Sequence, residues 1–403
     1  MLDVLGPNLP GSTLGYCTNV HAGATFAEVK ANLERYALPV KERVSPDRPM
    51  GVGLWLSAEA MQEVVTQNLT TDFKAWLEQR GLLPYTFNGF PFDDFHQPVV
   101  KDQVYLPHWA DADRYQYTLG LATILAELLP EGGEGSISTL PLGWPASFCG
   151  HADEYPAQAR RAADQLTQLV HTLARIELDT GRHIHIDLEP EPGCILETSE
   201  GVVQFFEQYL LGGPDDVSVL AYLRVCHDVC HAAVMFEDQA EALDHYRRAG
   251  IKVGKAQLSS AIRVPFDAMD HDIRQAAWRQ LQGFREDRYL HQTSIRTDDG
   301  RVHTYLDLPQ AMADAAQAES PHGEWRVHFH VPIHLDTLGT IGTIGTTRGE
   351  IERYLRAVQP GDETHHFEVE TYAWDVLPDE LKSDNLAAGI ADELVSVMVS
   401  SPS

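Results

Sequence analysis

Nine short runs of strand character alternate with longer helical patterns, and no feature of the chain limits its fold more than that alternation. The runs are LGYCTNVH (14–21), MGVGLWLS (50–57), LPYTFNGF (83–90), GSISTLPLGW (135–144), RHIHIDLEPEPG (182–193), LRVCHDVCH (223–231), IKVGKAQLSS (251–260), WRVHFHVPIH (325–334) and HFEVETYAW (366–374). The clearest helix lies over 155–179, where Leu166, Leu169, Val170, Leu173 and Ile176 recur at three- and four-residue steps and Gly181 follows as a stop. Such alternation builds parallel sheet with crossover helices, either closed as an eight-unit (β/α)8 barrel or left open as a doubly wound sheet.

Residue parity within the strands favours the barrel. In RHIHIDLEPEPG, His183, His185, Asp187 and Glu189 share one face while Ile184, Ile186 and Leu188 share the other. HFEVETYAW sets Glu368, Glu370 and Tyr372 against Phe367 and Val369, and WRVHFHVPIH sets His328 and His330 against Val327, Phe329 and Val331. Apolar residues facing outer helices, with titratable residues inside near the strand C-termini, is the pattern of a barrel with a site at its mouth. One barrel domain is expected over 1–395, with a helical and polar insertion at about 262–324 and a C-terminal tail at 396–403.

Charge narrows the partners. With 30 basic and 59 acidic residues the chain carries a net −29, which repels phosphate backbones and anionic lipid surfaces. A small-molecule substrate is expected, with no nucleic acid and no membrane insertion, since no apolar run reaches spanning length. The N-terminal segment has no basic region followed by an apolar core, so no signal peptide is expected. Five scattered cysteines, an odd number, fit reduced thiols in the cytoplasm rather than a disulfide framework.

Glu189, Asp228, His231, Gln257, His330 and Glu370 fall at or near strand ends that a barrel gathers at one mouth. Carboxylates with imidazole suit a divalent cation such as Mn, Mg, Co, Fe or Zn, and a pair of carboxylates on opposite sides of it could act as general base and general acid. His21, Trp55, Asn88, His108, His185 and Lys255 are the expected substrate contacts, although His183 and His185 sit deep enough on their strand to serve as interior residues. The hexapeptide CHDVCH (226–231) invites a zinc-knuckle reading, but Cys226 and Cys230 have no second pair, and strand parity puts Cys226 in the interior beneath Asp228. The Gly/Thr stretch at 338–350 could hold a phosphate on backbone amides, yet it matches no defined phosphate loop and reads first as a flexible loop. Neither GxSxG nor HExxH occurs, which disfavours a serine hydrolase or a zincin.

The D-x-x-H of DVCHAAV, placed after one strand ending in Glu and before another, resembles the xylose isomerase-like TIM-barrel superfamily of sugar isomerases, ketose 3-epimerases, inosose dehydratases and endonuclease IV. More closely, LGYCTNVHAG, TFNGFPFDDFHQPVVKDQVYLPHW, STLPLGW, LEPEPGC, DVCHAAV and HFHVPIH resemble the EboE-type metabolite traffic proteins over nearly the whole chain. The epimerase branch implies metal held by Glu189, Asp228, Gln257 and Glu370, with Glu189 and Glu370 as the acid/base pair and His231 touching substrate oxygen; Gln257 departs from the usual histidine. The endonuclease branch implies Asp228 and His231 as ligands, with His330 and His334 added and room for more than one metal. The resemblance thus implies a metal-dependent isomerase or epimerase of a small polyol, sugar or sugar phosphate in an ebo-type secondary-metabolite pathway. A metal-dependent hydrolase or oxygenase and a non-catalytic metabolite-binding protein on the same barrel are the alternatives.

Overall fold

The computed structural model describes residues 11–317, 320–339, 344–359, 361–382 and 385–400. The segment before residue 11, the Gly/Thr positions 340–343 and the last three residues of the expected tail lie outside the described residues.

Eight parallel strands form a nearly closed barrel: β1 (Thr13–Tyr16), β2 (Met50–Leu54), β3 (Leu82–Asn88), β4 (Glu134–Thr139), β5 (His183–Leu188), β6 (Leu223–Asp228), β7 (Val253–Leu258) and, last in the chain, β14 (His366–Val369). Neighbours run β1–β14–β7–β6–β5–β4–β3–β2, and a parallel bridge from Cys17 to Gly53 joins the two ends. This is a TIM barrel. Helices separate the strands, the longest spanning Tyr155–Thr180 and ending at Gly181 in the left-handed region, φ 69°.

Ile184, Ile186 and Leu188 are fully buried beneath the helices, while His185 and Asp187 are equally buried inside the barrel. The interior is therefore polar, and it is filled by paired charges. Lys255 and Glu368 meet at 2.6 Å with no side-chain exposure, an arrangement that survives burial only because each neutralises the other. Gly53 makes the space, since a Cβ there would fall 1.2 Å from Glu368 Oε1.

The segment between β7 and β14 differs from the helical and polar insertion expected over 262–324. It contains β8 (Ile262–Pro265), β9 (Thr293–Arg296), β10 (Val302–Tyr305), β11 (Glu324–Val327), β12 (Thr337–Leu338) and β13 (Ile344–Thr346), which form a second, six-stranded sheet in the order β10–β9–β11–β8–β13–β12. The sheet runs past 324 to 346, and Trp325–Val327 belongs to it rather than to the barrel. Its strands have two to four residues, and β10 is largely exposed, so no two-residue apolar alternation marks them in sequence. At the C-terminus a helix spans Leu386–Ser400, beyond the expected tail boundary at 396, because Val397 is still buried.

Candidate metal centre and active site

Each candidate side chain is placed by local backbone chemistry at the C-terminal rim of the barrel. Asp228 ends β6 and caps the helix Val229–Val234, accepting from the His231 amide at 2.9 Å and from Ser259 Oγ at 2.6 Å. The D-x-x-H spacing is thus an N-cap and the third residue of its helix, which puts both side chains on one side. Glu189 follows β5, its amide bound to Thr139 O at 3.0 Å, and Glu370 follows β14. After β11 the chain returns to the mouth, where the Val331 amide donates to Ser260 O at 2.9 Å and presents His328 and His330 on one face.

Ligand-type atoms converge in four overlapping sets, each within 4.8 Å: Glu189, Asp228 and Glu370; Asp228, His231 and His330; Glu191, His231 and His328; and Cys230, His328 and His330. The imidazoles are the most telling. His231 Nδ1 lies 2.8 Å from Pro190 O, His328 Nδ1 lies 2.8 Å from Gln292 Oε1, and His330 Nδ1 lies 2.8 Å from Glu370 O. Carbonyl-type acceptors fix the proton on Nδ1 in all three rings, leaving each Nε2 with a lone pair. Those Nε2 atoms face one another, His231 to His328 at 3.1 Å and His328 to His330 at 3.2 Å. Three lone pairs directed together are repulsive without a cation among them. Glu189 Oε2, Asp228 Oδ2 and both amide atoms of Gln257 are also buried with no hydrogen-bond partner among the described residues. The donor set fits a divalent cation.

Burial and the neighbouring Glu370 and Asp228 carboxylates push Glu189 well above the ordinary carboxylate range. Burial with Asp228 and Glu368 does the same to Glu370, although Asn19 and Asn88 donate to its Oε1 at 2.8 and 3.0 Å. Burial alone would raise Asp228, but His231 and His330 carry it below its usual value. Burial lowers His330 to about 4 and carries His328 well below the usual imidazole value, so both rings are neutral near pH 7. The neutral rings and the ionised Asp228 are ligand-ready, whereas Glu189 and Glu370 would give up protons on binding a cation.

A cavity of about 520 Å³ opens onto this cluster. It is lined by polar groups, Asn19, Asn88 and Glu191 among them, and by the rings of Phe90, Phe95, Tyr105, Tyr289 and Tyr372.

Of the residues singled out from sequence, Glu189, Asp228, His231, His330 and Glu370 come together, and Asn88 lines the cavity beside them. Gln257 lies in register between Asp228 and Glu368, fully buried. Five expected substrate contacts lie elsewhere. His21 stacks on Tyr36 and meets Tyr16 Oη at 3.0 Å; Trp55 packs behind the wall with Phe95 and Tyr289; His108 pairs with Asp111 at 3.1 Å. His185 is bound to Asp187 at 2.6 Å, and Lys255 to Glu368, both inside the barrel. Strand-end position does not show whether a side chain turns into the mouth or behind it.

His334 joins none of the four sets; it is half-buried beyond the turn, and His328 stands in the cluster instead. Glu191 was hidden by the prolines that flank it, although it continues the parity of Asp187 and Glu189. Its carboxylate accepts from Tyr105 Oη at 2.8 Å and Gln292 Nε2 at 3.3 Å. Cys226 and Cys230 are buried free thiols, and only Cys230 comes within reach of the histidines.

No family model matches the chain, and no curated protein matches it. Among solved structures it is similar to a xylose isomerase-like TIM barrel protein from Mycobacterium smegmatis in complex with magnesium, at 10% identity and TM-score 0.49, covering 97% of this chain and 98% of that one. It is similar to D-psicose 3-epimerase in the presence of D-fructose, at 12% identity and TM-score 0.47, covering 96% and 97%. A third is the probable 3-DHS dehydratase AsbF involved in petrobactin synthesis from Bacillus anthracis, at 13% identity and TM-score 0.45, covering 95% and 97%. At these values the likenesses carry no argument about chemistry. The eight-stranded parallel order of the barrel assigns the fold on its own, and no helix among the described residues is long and apolar enough to cross a membrane.

Proposed function

We propose that the protein is a divalent-metal-dependent enzyme of the isomerase or epimerase type, acting on a small polyol, sugar or sugar phosphate. The observation that carries this reading is the meeting of Glu189, from the end of β5, with Glu370, from the end of β14, beside Asp228 and the histidine trio. A cation held by Asp228, the histidine Nε2 atoms and whichever of Glu189 and Glu370 is ionised would supply Lewis acidity toward two adjacent substrate oxygens.

The chain's own groups handle the protons. One of the two glutamates, as carboxylate, takes a proton from the carbon next to a substrate carbonyl, and the C–H electron pair moves into that carbonyl. The other, kept protonated by its burial, gives its proton to carbon, so the substrate's protons balance and the two glutamates end with exchanged protonation states, set for the reverse conversion. Asn19 and Asn88 hold Glu370 in place through Oε1. His231, anchored on Pro190 O, orients substrate oxygen or ligates. The aromatic wall excludes water from the reacting carbon.

A second reading, metal-assisted hydrolysis or oxygenation with two metals, is favoured by one specific feature. The carboxylate set Glu189, Asp228 and Glu370 shares Asp228 with one imidazole set, Asp228, His231 and His330. An ebo-type pathway role rests on the sequence motifs alone. Elemental analysis of the purified protein tests both chemistries. The first reading expects one equivalent of divalent metal and the second two, while no stoichiometric metal after reconstitution overturns both.

A further inference from the structure

A depression outside the barrel mouth gathers four arginines in a chain that is acidic overall. On the face of the second sheet, Glu324 is in register with Arg296 on β9, and Arg326 is in register with Arg263 on β8. Like charges directly opposite in a sheet destabilise it unless something compensates them. Glu324 is the only carboxylate within that row. It accepts from Arg263 at 3.0 and 2.9 Å and from Arg326 at 2.9 Å, and Arg296 stands 3.6 Å away. Glu350 pairs with Arg353 at 3.0 Å and lies 3.9 Å from Arg326. Four guanidinium groups therefore share two carboxylate partners, while Glu237 and Asp238 bring the lining to four acids and four arginines in a chain of net −29.

The other two acids lining the depression are committed elsewhere. Glu237 accepts from the amide and hydroxyl of Ser199, and Asp238 caps the helix Gln239–Ala249. Phe236 lies under two guanidinium groups, Arg296 at 4.4 Å and Arg326 at 4.2 Å from its ring centre. Its backbone is held in the left-handed region at φ 59°, a conformation that costs a bulky residue free energy. Thr346, Thr347 and Gly349 complete the wall at the amino end of the helix Gly349–Ala357, whose dipole adds to the positive potential. Of the arginines, Arg263 and Arg296 keep 43% side-chain exposure and Arg353 keeps 65%, so their remaining donors are open to solvent. The space is about 850 Å³ and opens to solvent.

We propose that this depression is a binding site for a phosphate-type dianion, held by Arg263, Arg296 and Arg353 against the Thr346–Gly349 turn. The guanidinium groups facing the space outnumber the carboxylates that they pair with, and planar guanidinium groups bind phosphate oxygens bidentately. The site is independent of the metal centre and of the reaction proposed there.

The test is isothermal titration of the intact protein with inorganic phosphate against chloride of matched ionic strength. Saturable phosphate binding is expected for the natural chain, weakened about tenfold or more in Arg296→Ala/Arg353→Ala, as loss of charged hydrogen bonds predicts. Arg175→Ala, on an exposed helix face away from the depression, should bind as the natural chain does. Thermal melting without phosphate checks that the double variant is folded, and Arg353→Ala alone carries the readout if it is not. Absence of saturable binding overturns the proposal. So does binding of undiminished affinity in the variants, which would put the phosphate elsewhere, the barrel mouth included.

Discussion

His231 and His328 face each other through their Nε2 atoms at 3.1 Å, and each has its Nδ1 tied to an oxygen acceptor, Pro190 O and Gln292 Oε1. Neither ring has a proton to place between them. The contact is therefore half of a coordination site rather than a hydrogen bond, and Gln292 and Pro190 are what aim it.

Gln292→Ala should lower metal affinity by about 10–100-fold, because His328 loses the acceptor that fixes its tautomer and direction. Competition with a chelator indicator measures it. Unchanged affinity would mean that His328 is not a ligand.

Glu370→Gln keeps the Asn19 and Asn88 contacts sterically but removes a charge and a proton acceptor. Turnover on a responsive sugar or polyol should fall by roughly 10²–10⁴-fold. His108→Ala, whose ring pairs with Asp111 away from the cavity, should leave KM unchanged. An equal loss in both variants would argue against the assignment of the cavity.

Metal removal should destabilise the fold, since the carboxylates and imidazoles it would leave are buried. A cation at about 100 times its Kd contributes roughly 2.7 kcal/mol, visible as a fall in Tm after chelation that added metal reverses.

The pair Lys255–Glu368 has no exposed side-chain area. Glu368→Ala leaves a buried unpaired ammonium and should cost about 3–5 kcal/mol in urea unfolding, whereas Lys255→Met with Glu368→Leu should cost less. Gly53→Ala should be destabilising as well, because its methyl would occupy the place of Glu368 Oε1.

Burial raises Glu393 to about 7, although Thr371 Oγ1, Trp374 Nε1 and the Ile333 amide all donate to it. Its folded pKa is above its unfolded value, so the folded state binds the extra proton, and its contribution is fully present below about 4.5 and lost as pH rises through about 7. Urea unfolding from pH 4.5 to 7 should show this downward slope in the natural chain and a flatter one in Glu393→Gln.

Much of the barrel was legible because a two-residue period is written directly into strands such as RHIHIDL, where the outward positions are isoleucine and leucine and the inward ones titratable. The second sheet was not, because strands like Thr293–Arg296 and Val302–Tyr305 are short and partly exposed and carry no such period. At the site, Asp228 and His231 could be paired from spacing, since N-cap geometry is local. His328 and His330 could be put on one face, but which of His328 and His334 joins His330 depended on how the chain returns from β11.

By itself the sequence determined the alternation of elements, the polar interior and the acids and imidazoles available at strand ends, all consequences of local periodicity. Tertiary structure alone decided which of them converge. Glu189, Asp228, His328 and Glu370 are scattered over 182 positions, and their Nε2 and carboxylate atoms meet only because barrel closure and the return of the inserted sheet bring them to one mouth.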